Sequence, residues 1–135
     1  MEKKFCFKTA GEYNYKNTKG GEFSNNGLAD WKNTVFELNN GACVLYVQEP
    51  WGSGYDWTTS DKLFIIDVNG SYKGPNTSGK DVFYFNFRPN GQINPLMMDR
   101  TPAEYLSTCS ADNGFGCAAL IMSNGWSYPK NYPVK

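Results

Sequence analysis

From Thr34 onward the chain is a succession of short apolar runs broken by turn residues. Thr34-Val35-Phe36-Glu37-Leu38 predicts a strand, and Cys43-Val44-Leu45-Tyr46-Val47-Gln48 predicts its return partner. Between them lies Asn39-Asn40-Gly41-Ala42, in which Asn40-Gly41 would supply the positive φ angles of a tight hairpin. Lys62-Leu63-Phe64-Ile65-Ile66-Asp67 is a near-continuous apolar run and predicts a central strand covered on both faces. Val82-Phe83-Tyr84-Phe85-Asn86-Phe87 predicts another, turned by Arg88-Pro89-Asn90-Gly91. Gln92-Ile93-Asn94-Pro95 can start a short edge strand whose pairing Pro95 limits.

The helical signal is local. Thr101-Pro102-Ala103-Glu104 carries a cap, a proline at the first helical position and a glutamate three residues past the cap, so 101–106 predicts a helical turn. The apolar run Ala118-Ala119-Leu120-Ile121-Met122 leads into Asn124-Gly125-Trp126, and the tail 128–133 reads as extended or turn. Residues 1 to 30 hold no sustained period and read as loop, with one short helix before Gly20. The expected fold is α+β and mostly β: an antiparallel sheet of about four strands with long loops and short helical turns. Length and the lack of a linker suggest one domain over 1–135.

Composition agrees with strands and turns, since aromatics make up 16% of the 135 residues and Gly and Asn are frequent. Thirteen basic and thirteen acidic side chains give a formal net charge of zero, which removes the usual electrostatic case for nucleic acid. There is no histidine, so Ser-His-Asp and Cys-His nucleophile pairs and histidine-ligated zinc are excluded within this chain. No run of about 18 apolar residues is available to span a bilayer.

The four cysteines are Cys6, Cys43, Cys109 and Cys117, and no pair has the short spacing of a zinc knuckle. Two disulfides are expected, hence an oxidising compartment. Of the three pairings that four cysteines allow, the favoured one closes the short segment Cys109–Cys117 and leaves Cys6 with Cys43.

Three further constellations carry candidate chemistry. Asp67, Asn69, Asn76 and Asp81 bracket a loop dense in Gly, Asn and Pro. These side chains could offer oxygens to a calcium ion, or they could accept backbone N–H groups and cap the turns; capping is the stronger reading. Trp51, Tyr55 and Trp57, with Trp31 nearby in composition, could form a platform for sugar rings, with Asp56 and Asp61 as hydrogen-bond partners; packing is the stronger reading. Glu37, Glu49, Asp56, Asp61 and Asp99 could in principle pair as glycosidase carboxylates, which needs two of them roughly 5–10 Å apart. No catalytic motif accompanies them, and an enzyme is not expected.

Four segments in order resemble the soluble domains of type IV pilins and pseudopilins, over roughly residues 13–135. Tyr15-Lys16-Asn17-Thr18-Lys19-Gly20 is similar to the family's Y-K-N-L-D-G stretch, with Lys19 where the family has Asp. Phe36 to Cys43 resembles its L-x-D/N-G hairpin. Asp67 to Phe83 resembles its D-V-N-G…G-P-N…G-K-D-V-F loop. Gly116-Cys117-Ala118-Ala119-Leu120-Ile121 to Gly125-Trp126 resembles its ending, C-x-A-x-I-I-x-x-G-W.

The resemblance implies a structural subunit that acts by assembly with other filament subunits, exposed in the periplasm or at the cell surface. It implies a membrane-anchoring helix upstream of Met1, on whose C-terminal part the sheet packs, and no membrane contact otherwise. An apolar docking patch is expected, drawn from Val44, Tyr46, Leu63, Ile65 and Phe83. The competing expectation is a secreted carbohydrate-binding module using Trp51, Tyr55 and Trp57.

Overall fold

A computed structural model describes residue 6 and residues 15–21, 36–48, 62–111 and 113–135. Five strands follow in chain order: β1 (Phe36–Glu37), β2 (Cys43–Gln48), β3 (Lys62–Asp67), β4 (Val82–Phe87) and β5 (Ile93–Pro95). They form one antiparallel sheet in the order β1-β2-β3-β4-β5. Two short helices close the chain, α1 (Pro102–Ser110) and α2 (Cys117–Ser123). The architecture is mostly β with a small helical layer. Among the described residues the strands number five where about four were expected, because the two-residue β1 and the proline-ended β5 both pair.

The turns explain why these strands meet in this register. In the β1–β2 hairpin, Gly41 N–H donates to Leu38 O and Leu38 N–H to Ala42 O, both at 2.9 Å. The β4–β5 turn repeats this, with Gly91 N–H to Arg88 O and Arg88 N–H to Gln92 O. In each, Gly alone has positive φ, 89° at Gly41 and 87° at Gly91. This corrects the expectation of a two-residue turn with both Asn40 and Gly41 at positive φ. The loops are three-residue turns ending on a left-handed glycine, and Asn40 and Asn90 instead accept the N–H two residues on.

Cross-strand partners share a face, so the register sorts the sheet into two surfaces. Ile65 pairs with Tyr84 and Asp67 with Val82 on one side; Ile66 pairs with Phe83 and Phe64 with Phe85 on the other. The first side carries a core of Cys6, Tyr15, Cys43, Leu45, Ile65, Val82 and Tyr84. The second meets the helices, whose core gathers Phe83, Tyr105, Cys109, Cys117, Leu120, Ile121 and Val134. β3 is central as expected, but its coverage is unequal: Ile65 and Asp67 are buried while Phe64 and Ile66 are half-buried.

α1 starts as the sequence predicts. Thr101 Oγ1 accepts from Glu104 N–H at 3.3 Å, and Thr101 N–H donates to the Glu104 carboxylate at 2.8 Å, completing a reciprocal cap with Pro102 just inside. The helix runs past the expected turn to Ser110, placing Cys109 against α2. α2 was not foreseen as a helix. Its seven residues begin after Gly116 with no side-chain cap, and they are held by burial of Cys117 through Ile121.

Candidate functional site

The disulfides join Cys6 to Cys43 and Cys109 to Cys117. The first ties residue 6 to the start of β2 on one side of the sheet; the second ties α1 to α2 on the other. Both lie in buried surroundings, and a chain carrying them belongs in an oxidising environment, extracellular or periplasmic.

Between these anchors, the loop from Asp67 to Asp81 is built on its two carboxylates. Asp67 ends β3 facing the core and is fully buried. Its Oδ1 accepts from the N–H groups of Asn69 (3.2 Å) and Gly70 (3.1 Å), and its Oδ2 accepts from the Tyr15 hydroxyl at 2.7 Å. Asp81 stands just before β4. Its two oxygens accept from Asn76 N–H at 2.8 Å and Thr77 N–H at 2.7 Å. Every oxygen of the pair thus has a donor, and each carboxylate holds one end of the loop in shape.

The two asparagines complete this frame. Asn69 donates its amide to Gly74 O and Asn76 donates to Ser71 O, at 3.2 and 2.7 Å. Asn76 itself sits at a φ of 51°, which asparagine tolerates through local hydrogen bonding. The amide oxygens of both residues are buried with no hydrogen-bond donor among the described residues.

Burial acts against the charge on Asp67 and pushes its pKa up to about 6, while the hydrogen bond from Tyr15 and those from Asn69 and Gly70 pull the other way. The same burial raises the Tyr15 phenol well above its ordinary value, so it stays a donor.

The four carboxylate oxygens of Asp67 and Asp81 are thus engaged by N–H and O–H donors, the arrangement of turn caps. Among the described residues no group of three or more acidic, cysteine or histidine side chains is placed to hold a metal.

The loop is also a junction. Lys16 bridges Thr77 in parallel: its N–H donates to Asn76 O at 2.8 Å and its carbonyl accepts from Ser78 N–H at 2.9 Å. Ser78 Oγ donates to Asn113 O at 2.6 Å, inside the Cys109–Cys117 segment, and Thr18 Oγ1 donates to Ala111 O at 2.9 Å. From the C-terminal tail the Tyr132 hydroxyl donates to Gly79 O, and the Tyr128 hydroxyl donates to Lys80 O at 3.3 Å. Three stretches far apart in sequence, at Lys16, Asn113 and Tyr128 to Tyr132, therefore meet at residues 76–80.

Of the residues singled out from sequence, Asp67, Asn69, Asn76 and Asp81 come together and the four cysteines pair. Trp51, Tyr55 and Trp57, with Trp31, Glu49, Asp56 and Asp61, lie outside the described residues. Glu37 lies exposed on edge strand β1, and Asp99 follows β5 at the opposite edge, so the sheet does not bring this pair together. Sequence reasoning missed Tyr15, Ser71, Ser78 and Tyr132, whose contacts span 35 to 56 residues. No local period or motif marks such contacts.

Of the residues expected in the apolar patch, Ile65 and Phe83 are buried, Leu63 packs against the Tyr15 core, Val44 is half-buried, and the side chain of Tyr46 lies outside the described residues. Val44 belongs to a partly exposed apolar row on the face opposite Ile65, where Phe36 pairs with Val44 and Val44 with Ile66, ending against buried Phe83. Phe36 is 54% exposed at one end of this row, and nearby Val68 is 51% exposed. Beyond Phe83 the row opens into a groove of about 250 Å³ floored by Phe85, Ala118 and Ile121 and rimmed by Trp126 and Tyr128.

Among the described residues no helix is long and apolar enough to cross a membrane. No family model, curated protein or solved structure matches the chain.

Proposed function

We propose that this chain is the globular head of a filament subunit of the type IV pilin and pseudopilin kind, acting in a type IV pilus or a type II secretion-like filament. The observation that carries the reading is the apolar row Phe36–Val44–Ile66, which stays partly uncovered across three strands of the sheet. Contiguous apolar surface of this sort marks a partner, and a filament subunit has partners on more than one side. Supporting it, the family-like segments at 15–20 and 67–83 are joined through Lys16 and residues 76–78, Ser78 Oγ reaches Asn113 ahead of the family-like segment 116–126, and two disulfides brace the two sides of the sheet. In this reading the protein acts by packing against an apolar helix preceding the domain and against neighbouring subunits, with no catalytic step.

The test is the reading frame upstream of Met1 together with assembly in the native host. A short basic leader followed by about 20 apolar residues, and loss of filaments on Ile66→Asp with the folded domain retained, are the expected results. A conventional signal peptide or an attached catalytic domain, with filaments unaffected by Ile66→Asp, would overturn the proposal and favour a secreted binding module.

A further inference from the structure

Asn-Gly pairs recur along this chain, at 26–27, 40–41, 69–70, 90–91, 113–114 and 124–125, and all but the first lie among the described residues. The dipeptide carries its own chemistry. The glycine main-chain nitrogen can attack Cγ of the asparagine, because no Cβ on the glycine crowds the approach. A C–N bond forms, the Cγ–Nδ2 bond breaks, and ammonia leaves with the proton of the glycine nitrogen. Water then opens the cyclic imide at either carbonyl, giving aspartate or isoaspartate. The sum is amide plus water giving carboxylate plus ammonium, with no oxidant or reductant.

The fold sorts the described pairs. Gly41, Gly70 and Gly114 are buried, so solvent base has no access to their nitrogens. Gly70 N–H is also held on the Asp67 carboxylate at 3.1 Å, and the Asn69 amide on Gly74 O at 3.2 Å. Asn124 and Gly125 are exposed, but the amide that would leave donates to Ser127 O at 2.9 Å and to Ser127 Oγ at 3.1 Å. At 90–91 both residues are exposed, and the Asn90 amide nitrogen donates to nothing among the described residues.

The Asn90 carbonyl is also activated. Its Oδ1 accepts from Gln92 N–H at 3.0 Å. Negative charge builds on that oxygen as Cγ is attacked, and a fixed donor there stabilises it. Gly91 N–H donates to Arg88 O at 2.9 Å and must be released first. Its hairpin leads into β5, a three-residue edge strand ended by Pro95, and such edges open locally at small cost. The turn at 40–41 makes the same two bonds, Ala42 N–H on Asn40 Oδ1 and Gly41 N–H on Leu38 O, but its glycine is buried beside disulfide-bonded Cys43. It is an internal control that differs in burial.

We propose that Asn90 is a modification site, the described asparagine that converts spontaneously to aspartate and isoaspartate in the folded protein. The product places at the β5 edge a charge that the newly made chain lacks. Isoaspartate also adds a main-chain carbon to the turn that sets Phe87 opposite Ile93. The protein then passes one way between two forms distinguished at this edge, independently of the apolar row and of assembly.

Incubation of the intact chain at about pH 8.5, where base removes the amide proton more readily, followed by peptide mass mapping tests this. Asn90 should convert about tenfold or more ahead of Asn40, Asn69, Asn113 and Asn124, as two separable products of equal mass. In concentrated urea with the disulfides reduced, the five rates should converge, because the dipeptide is the same at each. In the native protein the Gly91 amide should exchange its hydrogen severalfold faster than that of Gly41. An unconverted Asn90, any of the other four keeping pace with it, or a Gly91 amide protected as well as Gly41 would overturn the proposal. So would the same order of rates in urea, since its cause would then lie outside the fold.

Discussion

The Tyr15 hydroxyl donates to the Asp67 carboxylate across 52 residues of chain, at 2.7 Å and out of contact with solvent. This bond fastens a segment without regular structure to the end of the central strand. Tyr15→Phe deletes the donor and little volume, so it isolates that contribution. It should destabilise the domain by about 1.5–3 kcal/mol, the range for hydrogen bonds to a charged partner. Urea unfolding measures it, and an unchanged midpoint would mean that the bond is dispensable.

The sign of the pH dependence at Asp67 is unusual for a carboxylate. Its pKa is raised from the ordinary 3.8 to about 6 in the folded state. Folding therefore favours the protonated form, and the contribution is fully present below 3.8 and lost as pH rises through about 6. Glu104 runs the other way. The Thr101 backbone N–H lowers its pKa, so its contribution is present above the ordinary value of 4.5 and lost as pH falls. Acidification from pH 7 to 5 should thus strengthen the Asp67 contribution before the α1 cap weakens. Carboxyl carbon shifts should give Asp67 a midpoint near 6, and a midpoint near 4 would contradict its burial.

The two disulfides should differ in worth. Cys6–Cys43 spans 37 residues and Cys109–Cys117 spans 8. Under the chain-entropy model they contribute about 4 and about 2.5 kcal/mol. Replacing each pair by alanine and comparing unfolding midpoints should rank them in that order. Non-reducing peptide mapping should recover both bridges and no free thiol.

Two glycines with the same backbone angle separate strain from packing. Gly20 and Gly79 both have φ of 84°, but a Cβ at Gly20 would meet nothing within 4 Å, while at Gly79 it would lie 2.7 Å from Val134 and 3.0 Å from the Cys117 sulfur. Gly20→Ala should cost about 1–2 kcal/mol from the left-handed angle alone. Gly79→Ala should cost a further 1–3 kcal/mol or so from overpacking and should loosen the C-terminal tail. Equal melting temperatures for the two variants would show that the tail yields freely.

Much of the sheet was readable because its strands announce themselves locally. β2, β3 and β4 coincide with the apolar runs 43–48, 62–67 and 82–87, and Thr101, Pro102 and Glu104 mark the start of α1. What was not readable depends on distant partners. α2 has neither a cap nor a long amphipathic period, and it becomes a helix by burying Ala118 through Ile121 against β4 and α1. Which face of the sheet stays partly uncovered was not readable, because an apolar strand such as Lys62–Asp67 does not say which of its faces a helix or loop will cover. At the junction, Asp67 and Asp81 stood out through their Gly-Asn-Pro surroundings, but Tyr15 has no signal of its own.

The junction at residues 76–80 accepts its bonds on main-chain atoms, the carbonyls of Lys16, Asn76, Gly79, Lys80, Ala111 and Asn113, with the amide of Lys16 as one of the donors. The side chains of Lys16 and Lys80 take no part in that stitching. Other side chains at either position would leave those main-chain bonds in place, so what this surface displays can change without a change in the architecture beneath it.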